Sequence, residues 1–88
     1  MAFAKLGYRG PMDETEHATR RREAADRHEL SALLHDDAAA YWDGQGDPEL
    51  AELERRNAEL ERAGAELERD RASLFEGRAD PPTGEPPG

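Results

Sequence analysis

Three histidines, His17, His28 and His35, carry the most versatile chemistry in this sequence. Their spacing places them along one face of a helix. Seven residues span about 10 Å of helix axis, which is too far for imidazoles to share one zinc ion. We therefore predict histidines that face solvent or a partner, and no metal site. Because His28 precedes Glu29 and His35 precedes Asp36, pH sensing by these imidazoles stays open.

Nucleophiles and cofactor motifs are scarce in the chain. There are two serines, Ser31 and Ser73, and no cysteine. There is no glycine-rich phosphate loop, and the carboxylates are spread over the faces of expected helices instead of being gathered in a pocket. We therefore predict no catalytic residue, no cofactor, no small-molecule substrate and no enzymatic activity.

Arginines form one basic cluster, at Arg20, Arg21, Arg22 and Arg27. Together with leucines that recur every seven residues later in the chain, this cluster resembles the basic region and zipper of bZIP proteins, which would imply DNA binding. A bZIP basic helix runs unbroken into its zipper, whereas here the segment DGQGDP, residues 43–48, intervenes. The net charge of −9 also opposes binding to nucleic acid, because contacts to phosphates supply most of that affinity. We expect these arginines to be solvated, paired with carboxylates or docked on a protein.

The elements that must position these side chains are two helices, and the second one carries a heptad repeat. Residues 51–71 read AELERRN, AELERAG and AELERDR, and a fourth copy has changed to ASLFEGR. The repeat aligns four leucines on one stripe of a helix, namely Leu53, Leu60, Leu67 and Leu74. The neighbouring stripe holds Leu50, Asn57, Gly64 and Arg71, of which one is aliphatic. Asn57 suits the role of fixing register, and the pattern predicts a conditional coiled coil.

Composition and turn signals set the order of the segments. The 88 residues include no isoleucine and no valine, and 38 % are charged, which favours an all-α fold. Helix starts are indicated by Asp13 with Glu16 and by Asp47 with Pro48. The short connection predicts an antiparallel two-helix hairpin. The predicted segments are an extended N-terminal segment over 1–12, helix 1 over 13–42, a turn over 43–47, a heptad-repeat helix 2 over 48–76 and a disordered Pro/Gly tail over 77–88.

Two packings of this hairpin compete. In the first, residues at equal distances from the turn meet through their large apolar side chains, so that Leu30 faces Leu60. Leu67, Leu74 and Phe75 would then need a second chain or the N-terminal segment to cover them. In the second packing, both leucine faces point outward into an oligomer, and small residues with a seven-residue spacing meet inside the hairpin: Ala18, Ala25, Ala32, Ala39, Ala51, Ala58, Ala65 and Ala72.

The function that these patterns predict is that of a non-catalytic helical interaction protein, such as an adaptor, assembly factor or small accessory subunit. It would associate through a coiled coil with itself or with a partner protein. The alternative is an acidic regulator that sequesters a basic partner, as an antitoxin or anti-sigma-like protein would. The predicted interaction residues are the apolar ones together with Asn57: Leu50, Leu53, Asn57, Leu60, Leu67, Leu74, Phe75, Leu30, Leu33, Leu34, Tyr41, Trp42, Phe3, Leu6 and Tyr8.

Location is predicted from what the sequence lacks. The absence of cysteine excludes a disulfide framework and fits a cytoplasmic protein. No apolar run approaches the roughly 20 residues of a membrane span, and the N-terminus has no apolar core of a signal peptide. We therefore predict a cytoplasmic protein without a membrane or nucleic-acid partner.

Overall fold

A computed structural model describes residues 13–79, which form two helices joined by a tight turn. Helix α1 spans Glu14–Gly44 and helix α2 spans Pro48–Ala79, and the two pack against each other along their length. The predicted all-α helical hairpin is therefore confirmed. The predicted N-terminal segment, with Phe3, Leu6 and Tyr8, and residues 80–88 of the predicted tail lie outside the described residues.

Both helices begin at the residues that the sequence indicates. The carboxylate of Asp13 accepts a hydrogen bond from the backbone N–H of Glu16 at 2.8 Å, and the Glu16 carboxylate accepts one from the Asp13 N–H at 3.2 Å. This reciprocal pair is a capping box, which satisfies two backbone donors at the helix start. At the start of α2, Asp47 accepts from the Leu50 N–H at 3.1 Å, and Pro48 occupies the first helical position, where no N–H is needed.

The turn is shorter and α2 is longer than the sequence indicates. Helix α1 continues through Gly44, and the chain reverses at Gly46, whose φ of 77° lies in the left-handed region that glycine adopts without steric cost. Helix α2 continues past Gly77 to Ala79. A glycine inside a helix costs about 1 kcal/mol relative to alanine but does not remove a backbone hydrogen bond, so the helix can pass through it.

The core of the hairpin is a seam of small side chains. Its eight alanines are between 0 and 3 % exposed, and they are Ala18, Ala25, Ala32, Ala39, Ala51, Ala58, Ala65 and Ala72. Because each contributes a single methyl group, the two helices can approach closely and no large side chain fits between them. The alanine contacts and the outward leucine faces of the second packing are therefore confirmed, while its oligomer stays a prediction. The first is wrong, since Leu30 and Leu60 are 58 % and 70 % exposed.

Candidate interaction surface

Polar side chains form one row of contacts along each side of the alanine seam. The first polar row joins residues that lie three positions after the seam alanines. From one pair to the next, the residue number rises by seven on α1 and falls by seven on α2. Their closest nitrogen–oxygen distances are 3.1 Å for Arg21 with Glu68, 2.6 Å for His28 with Glu61 and 2.6 Å for His35 with Glu54. The prediction that these histidines face solvent or a partner is wrong for His28 and His35, which are half-buried and bonded to glutamates of α2.

The second polar row lies on the opposite side of the seam and repeats with the same period. It joins an arginine to a carboxylate at each step, in the pairs Arg22–Glu76, Glu29–Arg69, Asp36–Arg62 and Asp43–Arg55. The Arg22 guanidinium donates two hydrogen bonds to Glu76, at 2.6 and 3.1 Å. The acids that neighbour the histidines in sequence, Glu29 and Asp36, are thus bonded to arginines instead. Part of the predicted basic cluster is paired with carboxylates.

Aromatic side chains close the open end of the hairpin. The ring of His17 stacks on Phe75 with centroids 4.7 Å apart, and the Arg78 guanidinium carbon lies 5.9 Å from the Phe75 centroid. Contacts within its own chain therefore leave Phe75 half-buried. At the turn, Trp42 is also half-buried and makes an edge-to-face contact with Tyr41, with centroids 4.9 Å apart.

One close approach explains the glycine in the middle of α2. A Cβ atom at Gly64 would lie 3.2 to 3.3 Å from three atoms of the His28 ring, which is tighter than ordinary van der Waals contact. The imidazole therefore occupies the space that a side chain at position 64 would need. We infer that Gly64 provides room for the contact between His28 and Glu61.

Three glutamates of α2 have their pKa shifted by these partners. The hydrogen bond from His28 lowers the pKa of Glu61, partly opposed by burial, and a hydrogen bond from Ser31 adds to it. The hydrogen bond from Arg22 likewise lowers the pKa of Glu76.

Glu68 is the one charged side chain within residues 13–79 that is buried, and it lies between two arginines. Burial alone would raise its pKa. The charge of Arg21 and the hydrogen bond and charge of Arg71 outweigh that effect, so the pKa of Glu68 is lowered. The hydrogen bonds come from Arg21 at 3.1 Å and from Arg71 at 3.2 Å. Glu68 is therefore held ionised inside the hairpin.

The predicted leucine stripe forms an exposed edge of α2, which we call the leucine edge. It consists of four residues that are 49 to 70 % exposed, namely Leu53, Leu60, Leu67 and Leu74. Each lies two residues after a seam alanine, which is about 200° around the helix. The leucine edge therefore faces away from α1, and the hairpin is closed without it. Leu50 and Asn57, at the side of this edge, are also exposed.

The large apolar residues of α1 form a shorter exposed patch in its C-terminal half. Leu30, Leu34 and Tyr41 lie on the side opposite the seam, and Leu33 is exposed beside them. The structure thus separates the predicted interaction residues of the two helices onto opposite edges of the hairpin. Trp42 and Phe75 belong to its ends instead.

Two charged side chains beside the leucine edge differ from those of the polar rows in that they are not paired across the hairpin. Arg56 and Asp70 each follow an edge leucine by three residues and lie on the same flank. Both are exposed, and neither forms an ion pair within residues 13–79. By contrast, Arg55, Arg62 and Arg69 are bonded across the hairpin.

Side chains suited to metal binding do not gather in residues 13–79. No set of three histidine, aspartate or glutamate side chains there is placed to hold a metal ion. A shallow open depression on one side of α1 is lined by Thr15, Glu16, Thr19, Arg20 and Glu23. In the same range, no helix is long and apolar enough to cross a membrane.

The two polar rows were not predicted, although their signal is present in the sequence. Once the alanines are taken as the seam, the residues three and four positions after them can be compared between the helices. Where such a residue is basic on one helix, the residue that faces it on the other helix is acidic. Glu54, Glu61 and Glu68 on α2 then fall opposite basic side chains of α1.

No protein-family model, no curated protein and no solved structure matches this chain.

Proposed function

We propose that this protein is a non-catalytic helical interaction protein that associates through its leucine edge, as an adaptor, assembly factor or accessory subunit would. The observation that carries the proposal is that the alanine seam and polar rows complete the hairpin while every leucine of the edge stays exposed. An apolar stripe of this length, rimmed by charged residues, is typical of a protein interaction site. Its heptad spacing suits another helix as the occupant.

The strength of such an association follows from the exposure of the leucines. Complete burial of a leucine contributes roughly 1.5 to 3 kcal/mol, so a side chain that is about half exposed can still contribute roughly 1 kcal/mol. Two facing stripes of four leucines would contribute roughly 8 kcal/mol. This is comparable with the roughly 4 to 15 kcal/mol that association costs. We therefore expect reversible association instead of a permanent complex.

The test compares the wild-type chain with the double variant Leu60→Gln, Leu67→Gln. Sedimentation equilibrium measures self-association, and cross-linking in the cells that produce the protein measures association with other proteins. We expect one of these complexes in the wild type and its loss in the variant. Circular dichroism on dilute samples should show similar helix content for both, because neither leucine lies in the seam. If no complex forms, or if it survives the substitutions, the proposal is wrong.

A second candidate function is an acidic regulator that binds a basic protein. Glu59 and Glu66 support it, since they are exposed one heptad apart on α2 and take no part in the ion pairs across the hairpin. An exposed acidic row of this kind attracts a basic surface, and the attraction weakens as salt is added. The salt dependence is measured on a partner protein identified by the cross-linking. If its affinity stays constant between low and high salt, this counts against the candidate. Loss of binding in Glu59→Gln, Glu66→Gln but not in Leu60→Gln, Leu67→Gln would favour it.

A further inference from the structure

We infer that the occupant of the leucine edge is a second copy of this chain, whose α2 lies antiparallel to the first about a twofold axis beside Ala63 and Gly64. This inference rests on the proposed function and names its partner. The axis passes midway between Leu60 and Leu67. Such a dimer is isologous, so every contact occurs twice.

The positions of the leucines select this register. With the axis at this point, Leu60 faces Leu67 of the partner subunit and Leu53 faces Leu74 of the partner subunit, so all four leucines of each copy are covered. A shift by one heptad in either direction would leave Leu53 or Leu74 beyond the other stripe. Ala63, which is exposed beside the axis, is small, and this allows the two helices to approach.

The charges beside the stripe agree with the same register. In an antiparallel pair of helices, equivalent flanks lie on the same side, as the polar rows within the hairpin show. Arg56 and Asp70 occupy equivalent positions, one heptad before and one heptad after Ala63. Each Arg56 therefore lies beside Asp70 of the partner subunit. These two side chains are exposed and form no ion pair within residues 13–79, so both are available.

In a parallel dimer, fewer of these charged side chains would lie beside an opposite charge. There, the flank with Arg56 and Asp70 would lie beside the flank with Asn57 and Arg71 of the partner subunit. Arg56 would then face an uncharged amide. Arg71 would face Asp70, but its guanidinium already donates to Glu68 of its own helix at 3.2 Å. Charges at such flanking positions set the orientation of paired helices, and here they favour the antiparallel one.

Charge reversal tests the pairing. In sedimentation equilibrium, Arg56→Glu and Asp70→Arg should each weaken the dimer by about tenfold, because each places like charges together at two symmetric sites. The double variant Arg56→Glu, Asp70→Arg restores both attractions and should recover the wild-type dissociation constant to within about threefold. The matched controls are Arg27→Glu and Asp37→Arg, which make the same changes in net charge on exposed positions of α1. We expect the controls to change the constant by less than about threefold.

Disulfide trapping tests the orientation, since the natural chain has no cysteine. Two chains, Leu53→Cys and Leu74→Cys, are mixed, with an affinity tag on one so that the mixed product has its own size. An antiparallel dimer gives mainly the mixed disulfide, whereas a parallel dimer gives the two self-paired products. Three results would overturn the inference: self-paired products, a dimer indifferent to the charge reversals, or a wild-type chain that stays monomeric. If the monomer still binds another protein through Leu60 and Leu67, the proposed function survives while this inference fails.

Discussion

At the scale of single residues, the hairpin depends on side chains that are matched across the seam one by one. His28 is the clearest example, because it bonds to Glu61 while its ring fills the space above Gly64. Gly64 is unfavourable for the helix by about 1 kcal/mol. The contact across the hairpin therefore opposes the local helix preference at this position.

The variant Gly64→Ala should show this opposition in the free energy of unfolding. Alanine favours the helix by about 1 kcal/mol, but its Cβ would crowd the His28 ring, so the gain in stability should be smaller than that. In the His28→Ala background the space is free, and Gly64→Ala should show its full gain. Urea unfolding followed by circular dichroism measures both, with Leu60→Gln, Leu67→Gln present throughout to prevent association. Equal gains in the two backgrounds would show that the ring does not limit position 64.

The lowered pKa values of Glu61, Glu68 and Glu76 predict a loss of stability in acid. Because these carboxyls bind protons more weakly in the folded chain than in the unfolded chain, their stabilisation is present above the unfolded value of about 4.3. It is lost as the pH falls through their lower folded values. The free energy of unfolding should therefore decrease from pH 5 towards about pH 2.

The control for this acid effect is the variant Glu61→Gln, Glu76→Gln, whose side chains at these positions do not titrate. It should be less stable than the wild type at neutral pH and should lose less stability on acidification. Urea unfolding at a series of pH values measures how the free energy of unfolding of each protein depends on pH. An identical loss in the two proteins would mean that other carboxylates cause the acid sensitivity.

At the scale of the helices, the sequence predicted their existence, their starts and the antiparallel turn, but not which stripe faces inward. Alanines and leucines repeat with the same period of seven on α2, so periodicity alone cannot rank the two stripes. The neighbours of each stripe decide between them. An inward leucine stripe would place Leu53 opposite Asp37 and Leu67 opposite Glu23, which would bury carboxylates without partners. The alanine seam instead aligns complementary charges on both sides.

Enlargement of a seam residue tests the close approach of the helices. Ala32 is fully buried and should not accept a larger side chain, so Ala32→Leu should destabilise the hairpin by about 1 to 3 kcal/mol. The matched change Ala40→Leu, at an exposed position of the same helix, should stay within about 0.5 kcal/mol. Thermal or urea unfolding compares the two variants. If both are equally stable, the helices are not held together by this seam.

At the scale of the whole molecule, the apolar core of the hairpin consists of alanine methyl groups, while the leucines of residues 13–79 lie exposed on its outer sides. A core this small contributes less stability than the burial of leucines would. The proposed association would therefore add a substantial part of the total stability. Stability and association should accordingly be linked by mass action.

This linkage predicts that the thermal midpoint of the wild-type chain rises with protein concentration. A folded form that gains a partner at about 100 times the dissociation constant is stabilised by roughly 2.7 kcal/mol. Circular dichroism melts over about a hundredfold range of concentration, spanning the onset of association, should therefore shift upward with concentration. The variant Leu60→Gln, Leu67→Gln should melt at a constant temperature near the value of the most dilute wild-type sample. A wild-type midpoint that does not move would mean that the alanine seam and its polar rows stabilise the hairpin without help from the leucine edge.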